Sequence, residues 1–111
     1  MYRLTLNRVH DSVLIEEGGE QLSLHVDSDP MRMVAALTDA QSTLRGITEE
    51  SAQEERTKAA VQFAAAMFGP DQARELMEFY HGDPACVIAL CGKYFSQRLV
   101  KLIEKAQKKA K

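Results

Sequence analysis

The stretch that decides the fold is VLIEEGGEQLSLHVDSDP, running from Val13 to Pro30. Apolar and polar positions alternate on both sides of Gly18-Gly19, and the alternation ends at Asp29-Pro30. A period of two marks a strand with one face buried. Gly-Gly between two such runs signals a hairpin, because the tight primed turns require positive φ. That turn sets a register, with Glu17 opposite Glu20, Ile15 opposite Leu22 and Val13 opposite Leu24. Both apolar pairs then fall on one face, as a coherent register demands. The two facing glutamates oppose it weakly. Further upstream, Tyr2, Leu4 and Leu6 alternate with Arg3, Thr5 and Asn7. Residues 1–28 therefore read as a small antiparallel β-meander or hairpin with one face that needs cover.

At Asp29 the period changes. Asp-Pro is a helix start, with Asp as N-cap and Pro in the first turn. Met33, Leu37, Ala40, Leu44 and Ile47 follow at three- and four-residue spacing, with Gly46 as the stop. Thr48 or Ser51 is the expected cap of a second helix, and Ser51-x-x-Glu54 has the form of a capping box. Ala60, Phe63, Ala64, Met67 and Phe68 make the apolar face of that helix, which closes at Gly69-Pro70. A short third helix spans about residues 71–81 and ends at Gly82. Asp83-Pro84 repeats the start signal, and a last helix carries Ile88, Cys91, Phe95, Leu99, Leu102 and Ala106 on one stripe. Strands followed by about four helices give an α+β domain, residues 1–111 as a single unit, with residues 29–111 as its helical part.

With 111 residues, 45% hydrophobic and 27% charged, the composition is that of a globular domain large enough to bury a core without staples. No apolar run approaches the ~18 residues of a membrane helix, and Asp11, Glu16 and Glu17 interrupt any leader-like segment. The expectation is a soluble, cytoplasmic chain with no membrane partner. A net charge of −2 conceals an uneven layout. Residues 1–92 hold 7 Lys and Arg against 15 Asp and Glu; residues 93–111 hold 7 against Glu104 alone. Basic residues suit the end of a helix, where they meet the negative pole of its dipole. Lys101, Lys105, Lys108 and Lys109 are also the one candidate for contacts with nucleic acid. They would bind phosphate without specificity, no stacking aromatics interleave with them, and the chain as a whole is acidic.

Catalytic chemistry is hard to assemble from these residues. His81, Cys86 and Cys91 are spaced five apart, which matches no zinc pattern and is poor for a disulfide on a helix. Helical cysteines of this kind are expected to be buried and inert. Glu49, Glu50, Glu54 and Glu55 sit where acids offset a helix N-terminus. Gly18-Gly19 lacks the helix and lysine of a phosphate loop. No metal, no cofactor and no enzymatic activity are expected. In the third helix, Ala73, Leu76, Met77, Phe79 and Tyr80 span an arc of about 160°, wider than a simple core stripe. Met67, Phe68, Met77, Phe79 and Tyr80 would make an adaptable partner-binding surface if exposed.

The pattern as a unit resembles a known family. A small β start, an Asp-Pro helix, the segment Phe63-Ala-Ala-Ala-Met-Phe-Gly-Pro-Asp-Gln-Ala73, a short helix, Cys91-Gly-Lys-Tyr-Phe95 and a Lys-rich end look like the tail assembly chaperones of long-tailed phages and prophages of Gram-positive bacteria. The Lys-rich end departs from the more acidic end of many relatives. The resemblance implies a non-enzymatic protein of the bacterial host cytoplasm. Such a protein is needed for tail assembly and absent from the finished virion. It holds the tape-measure protein soluble and recruits tail-tube subunits, and in such families a frameshift makes a longer product. The expected partner surface is the face bearing Met77, Phe79 and Tyr80, which takes client helices or a second copy of the chain. The competing expectation is a small phage regulatory or nucleic-acid-associated protein that uses the basic C-terminal helix.

Overall fold

The computed structural model describes the backbone of residues 8–109 and the side chains of residues 8–106. The alternating segment Tyr2 to Asn7 lies outside the described residues. Two strands, β1 (Val9–Glu17) and β2 (Glu20–Ser28), pair antiparallel. Their register is the one that the Gly-Gly turn dictates: Glu17 faces Glu20, Ile15 faces Leu22 and Val13 faces Leu24. Gly18 and Gly19 take φ of 60° and 83°, which is what a primed turn demands at both central positions. The inner face carries Val9, Ile15, Leu24 and Val26, all buried. His10, Ser12, Leu14 and Glu16 alternate on the outer face, exposed.

Five helical segments follow: α1 (Pro30–Arg45), α2 (Gln53–Phe68), α3 (Pro70–Phe79), α4 (Pro84–Tyr94) and α5 (Val100–Lys109). A π-helical segment, Phe95–Leu99, joins the last two, and right-handed φ/ψ at Tyr94, Phe95 and Val100 makes them one continuous helix. The arrangement is α+β, a hairpin followed by four helices. Both Asp-Pro starts behave as the sequence requires. The Asp29 carboxylate accepts from the Met31 N–H at 2.9 Å, and the Asp83 carboxylate accepts from the Ala85 N–H at 3.0 Å. The capping box at Ser51 does not form. Its hydroxyl accepts from the Thr48 N–H at 2.9 Å inside the preceding turn, and α2 starts one residue later behind Ala52 with no side-chain cap. Arg56 secures that turn instead, donating to the carbonyls of Thr48 and Glu49.

One core joins the layers. Leu24 and Val9 from the hairpin meet Met33 of α1, Leu76 of α3, Val87 and Cys91 of α4 and Leu99 of the π segment, all fully buried. The α2 face expected from the sequence is buried as read, from Ala60 to Phe68. The last helix buries Cys91, Leu99 and Ala106 of the expected stripe and departs from it at two positions. Val87 and Ile103 are buried, while Ile88 and Leu102 only pack at its margin. Sixteen residues at 100° would put Val87 and Ile103 about 160° apart on a regular helix. The wider π turn takes up part of that angle, so the buried side crosses from one row of residues to the next.

Candidate functional site

Of the five apolar residues expected at a partner surface, three lie in the core and two keep an accessible side. Met67, Phe68 and Met77 belong to the core. Phe68 of α2 stacks on Tyr94 of α4 with ring centroids 5.5 Å apart, and α3 packs chiefly on α2, with α4 and β2 at its margins. Phe79 and Tyr80 remain half-buried, in edge-to-face contact at 5.2 Å. Lys101 and Lys105 are exposed on α5, while Lys108 and Lys109 fall outside the residues with described side chains.

A polar pin that the sequence reading passed over fixes the hairpin to the last helix. Asp11 lies on the inner face of β1, between Val9 and Val13, with its side chain only 6% exposed. Its carboxylate accepts from the Tyr94 hydroxyl at 2.7 Å and from the Arg98 guanidinium at 2.5 and 2.8 Å. The guanidinium holds the Asp11 carboxyl below its ordinary range. Burial and the same carboxylate push the Tyr94 hydroxyl well up. The signal was present, since the hairpin register alone puts Asp11 on the apolar face, where a charge needs a partner.

Among the described residues, two of the concavities bear on this frame. The first is an apolar groove of about 260 Å³ between α1 and the last helix, lined by Val34, Leu37, Phe95, Val100 and Ile103 with Thr38, Gln41 and Glu104 at its rim. On the same helix, one turn before Val34, Met31 is 71% exposed, and Val34 itself is 38% exposed. The groove arises because Val34 sits one residue past the buried Met33 and so at the edge of the α1 core stripe.

The second is a cleft of about 370 Å³ where the hairpin turn meets the end of α3 and the start of α4, lined by Glu17, Gly18, Glu20, Phe79, Tyr80, His81 and Cys86. Here α3 closes with the Gly82 N–H donating to the Met77 carbonyl at 2.8 Å. Burial and the neighbouring Glu17 carboxylate push the Tyr80 hydroxyl up to about 12. Cys86 is exposed, against the expectation of a buried thiol, and donates to Asp83 at 3.3 Å. The Asp83 carboxylate raises the Cys86 thiol, which keeps it in its weakly nucleophilic protonated form at neutral pH. Cys91 is buried, and burial pushes its thiol up to about 12.

Comparisons with protein families, with curated proteins and with solved structures find no match to this chain. Its own geometry therefore carries the functional argument. Among the described residues no three His, Cys, Asp or Glu side chains converge as a metal set. No helix among the described residues is long and apolar enough to cross a membrane.

Proposed function

We propose that this chain is a non-enzymatic assembly chaperone that binds partner proteins, in the manner of the phage tail assembly chaperones that its sequence resembles. Its clients on this reading are tape-measure and tail-tube proteins, met in the cytoplasm of a bacterial host. The observation that supports it is the apolar groove between α1 and the last helix, with Val34 exposed on its α1 side and Met31 exposed one turn earlier on the same helix. Adaptable apolar side chains beside a shallow groove suit an amphipathic client helix, whose apolar face would otherwise be left in water. This moves the expected client face from α3, whose Met77 is in the core, to α1 and α5.

The test is co-expression with the neighbouring tape-measure protein, comparing the wild-type chain with Met31→Glu/Val34→Glu. The expected outcome is a soluble client that co-purifies with the wild type and is lost to the pellet with the variant. Equal client recovery with both would move the client off this groove. An insoluble client with the wild type would remove the reading. Salt-dependent retention on DNA, lost on neutralising Lys101 and Lys105, would favour the nucleic-acid alternative, for which the support is the exposure of both side chains on α5.

A further inference from the structure

The cleft at the hairpin turn and the basic end of the last helix are complementary, and one chain cannot bring them together. The cleft combines three features that favour a cation. Glu17 and Glu20 carry carboxylates at its rim. The α3 helix ends at Phe79, so the negative pole of its dipole lies in the same corner. Phe79 and Tyr80 form an aromatic wall against which an ammonium and its methylene stem can pack. Among the described residues, the ion pairs are those of Asp11 and Asp27, so Glu17 and Glu20 are spoken for by no cation there.

The matching cations lie on α5. Lys101 and Lys105 are exposed and one turn apart, and Lys108 and Lys109 occupy the next turn of the same helix. Arg98 is held by Asp11 and is not available. The helix that bears the lysines begins at the cleft, where Cys86 is one of the lining residues. At about 1.5 Å per residue it carries Lys101 roughly 22 Å and Lys105 roughly 28 Å away, well beyond the reach of a lysine side chain. The long dimension of the molecule, 56 Å, leaves room for both poles.

We infer that the Glu17/Glu20/Phe79/Tyr80 cleft docks the lysine-bearing end of α5 from a second copy of this chain. The contact is heterologous: each copy offers one cleft and one helix end. Association is therefore head to tail and continues until a ring closes or the chain runs out. It goes beyond client binding and uses a different surface from the α1–α5 groove.

The experiment is sedimentation velocity on the full chain across a concentration series, at roughly 50 mM and 500 mM salt. The wild type is expected to associate with concentration, and the higher salt to weaken it on the order of tenfold, because exposed ion pairs are screened. Two variants separate the poles. Glu17→Lys/Glu20→Lys destroys the cleft and keeps the lysines; alanine at Lys101, Lys105, Lys108 and Lys109 does the reverse and suits a helix. Each is expected to be monomeric alone, with an unchanged circular dichroism spectrum. Mixed together they are expected to form a one-to-one dimer and nothing larger, since only one competent cleft and one competent helix end remain. A wild type that stays monomeric at low salt overturns the inference. So does association that survives either variant, or a cleft that binds an unrelated oligolysine while the chain ignores its own copies.

Discussion

Asp11 is a carboxylate on an apolar strand face, and its partners decide whether it stabilises or disrupts. With Tyr94 and Arg98 in place, every strong demand of the charge is met. Asp11→Asn keeps the shape but gives up the ionic part of both contacts. The expected cost is about 2 kcal/mol, since hydrogen bonds to a charged group are the stronger ones and Arg98 is left without its counter-ion. Urea denaturation at pH 7 measures it. The pH dependence has a defined sign. The Asp11 carboxyl is depressed in the folded state, so the unfolded chain binds the proton first as pH falls. Its stabilisation is full above the unfolded carboxyl range of about 4 and is lost as pH falls through the lower folded value. The Asn variant should therefore lose less stability than the wild type on acidification. An acid limb of equal steepness in both would show that the pin does not titrate as described.

At the scale of elements, a second joint between the hairpin and the helices, besides the Asp11 pin, runs through one amide. Gln72, in the first turn of α3, presents its side chain to the edge of β2 as a short strand would. Its oxygen accepts from the His25 N–H at 2.7 Å, and its NH₂ group donates to the His25 carbonyl at 2.6 Å and the Phe68 carbonyl at 2.7 Å. Gln72→Glu puts an anion against two carbonyl oxygens. It should destabilise by about 1–3 kcal/mol at pH 7, more than Gln72→Ala, and recover part of that loss in acid as the new carboxyl is protonated. Thermal melts of both variants at two pH values decide it. The hinge between α2 and α3 is equally specific. Gly69 takes φ 85° and ψ 162°, a conformation open in practice to glycine alone. No atom lies within 4 Å of a Cβ built there, so Gly69→Ala costs backbone strain and not collision, about 1–3 kcal/mol by chemical denaturation. The elements themselves were legible wherever a local rule acts. Gly18-Gly19 gave the register and each Asp-Pro a helix start. Gln72 was not legible, because an amide that serves a distant strand leaves no local pattern. Nor was the π segment: a stripe extrapolated at 100° per residue runs through Ile88 and Leu102, while the wider turn shifts burial to Val87 and Ile103.

For the whole molecule, the order of strands and helices could be read from the changes of period, but the surfaces could not. Met67, Phe68 and Met77 look like an adaptable binding face when each helix is considered alone. They are core because α2 and α3 pack on each other and on the final helix. Conversely, the α1–α5 groove depends on the gap between two helices far apart in the sequence, and only Val34, one step off the buried stripe, hints at it. Among the described residues the exposed large apolar side chains are Leu14 on the outer face of the hairpin, Val61 on α2, and Met31 and Val34 together on α1, where Val34 lines the groove. The acidic cleft and the lysines stand at separate places for a separate partner. The most direct test of the client reading is an amide ¹H–¹⁵N spectrum of the chain titrated with a purified apolar helical segment of the tape-measure protein. Shifts centred on Val34, Leu37, Val100 and Ile103 are the predicted result. A spectrum that does not move, or shifts confined to Glu17, Tyr80 and the α5 lysines, would contradict it.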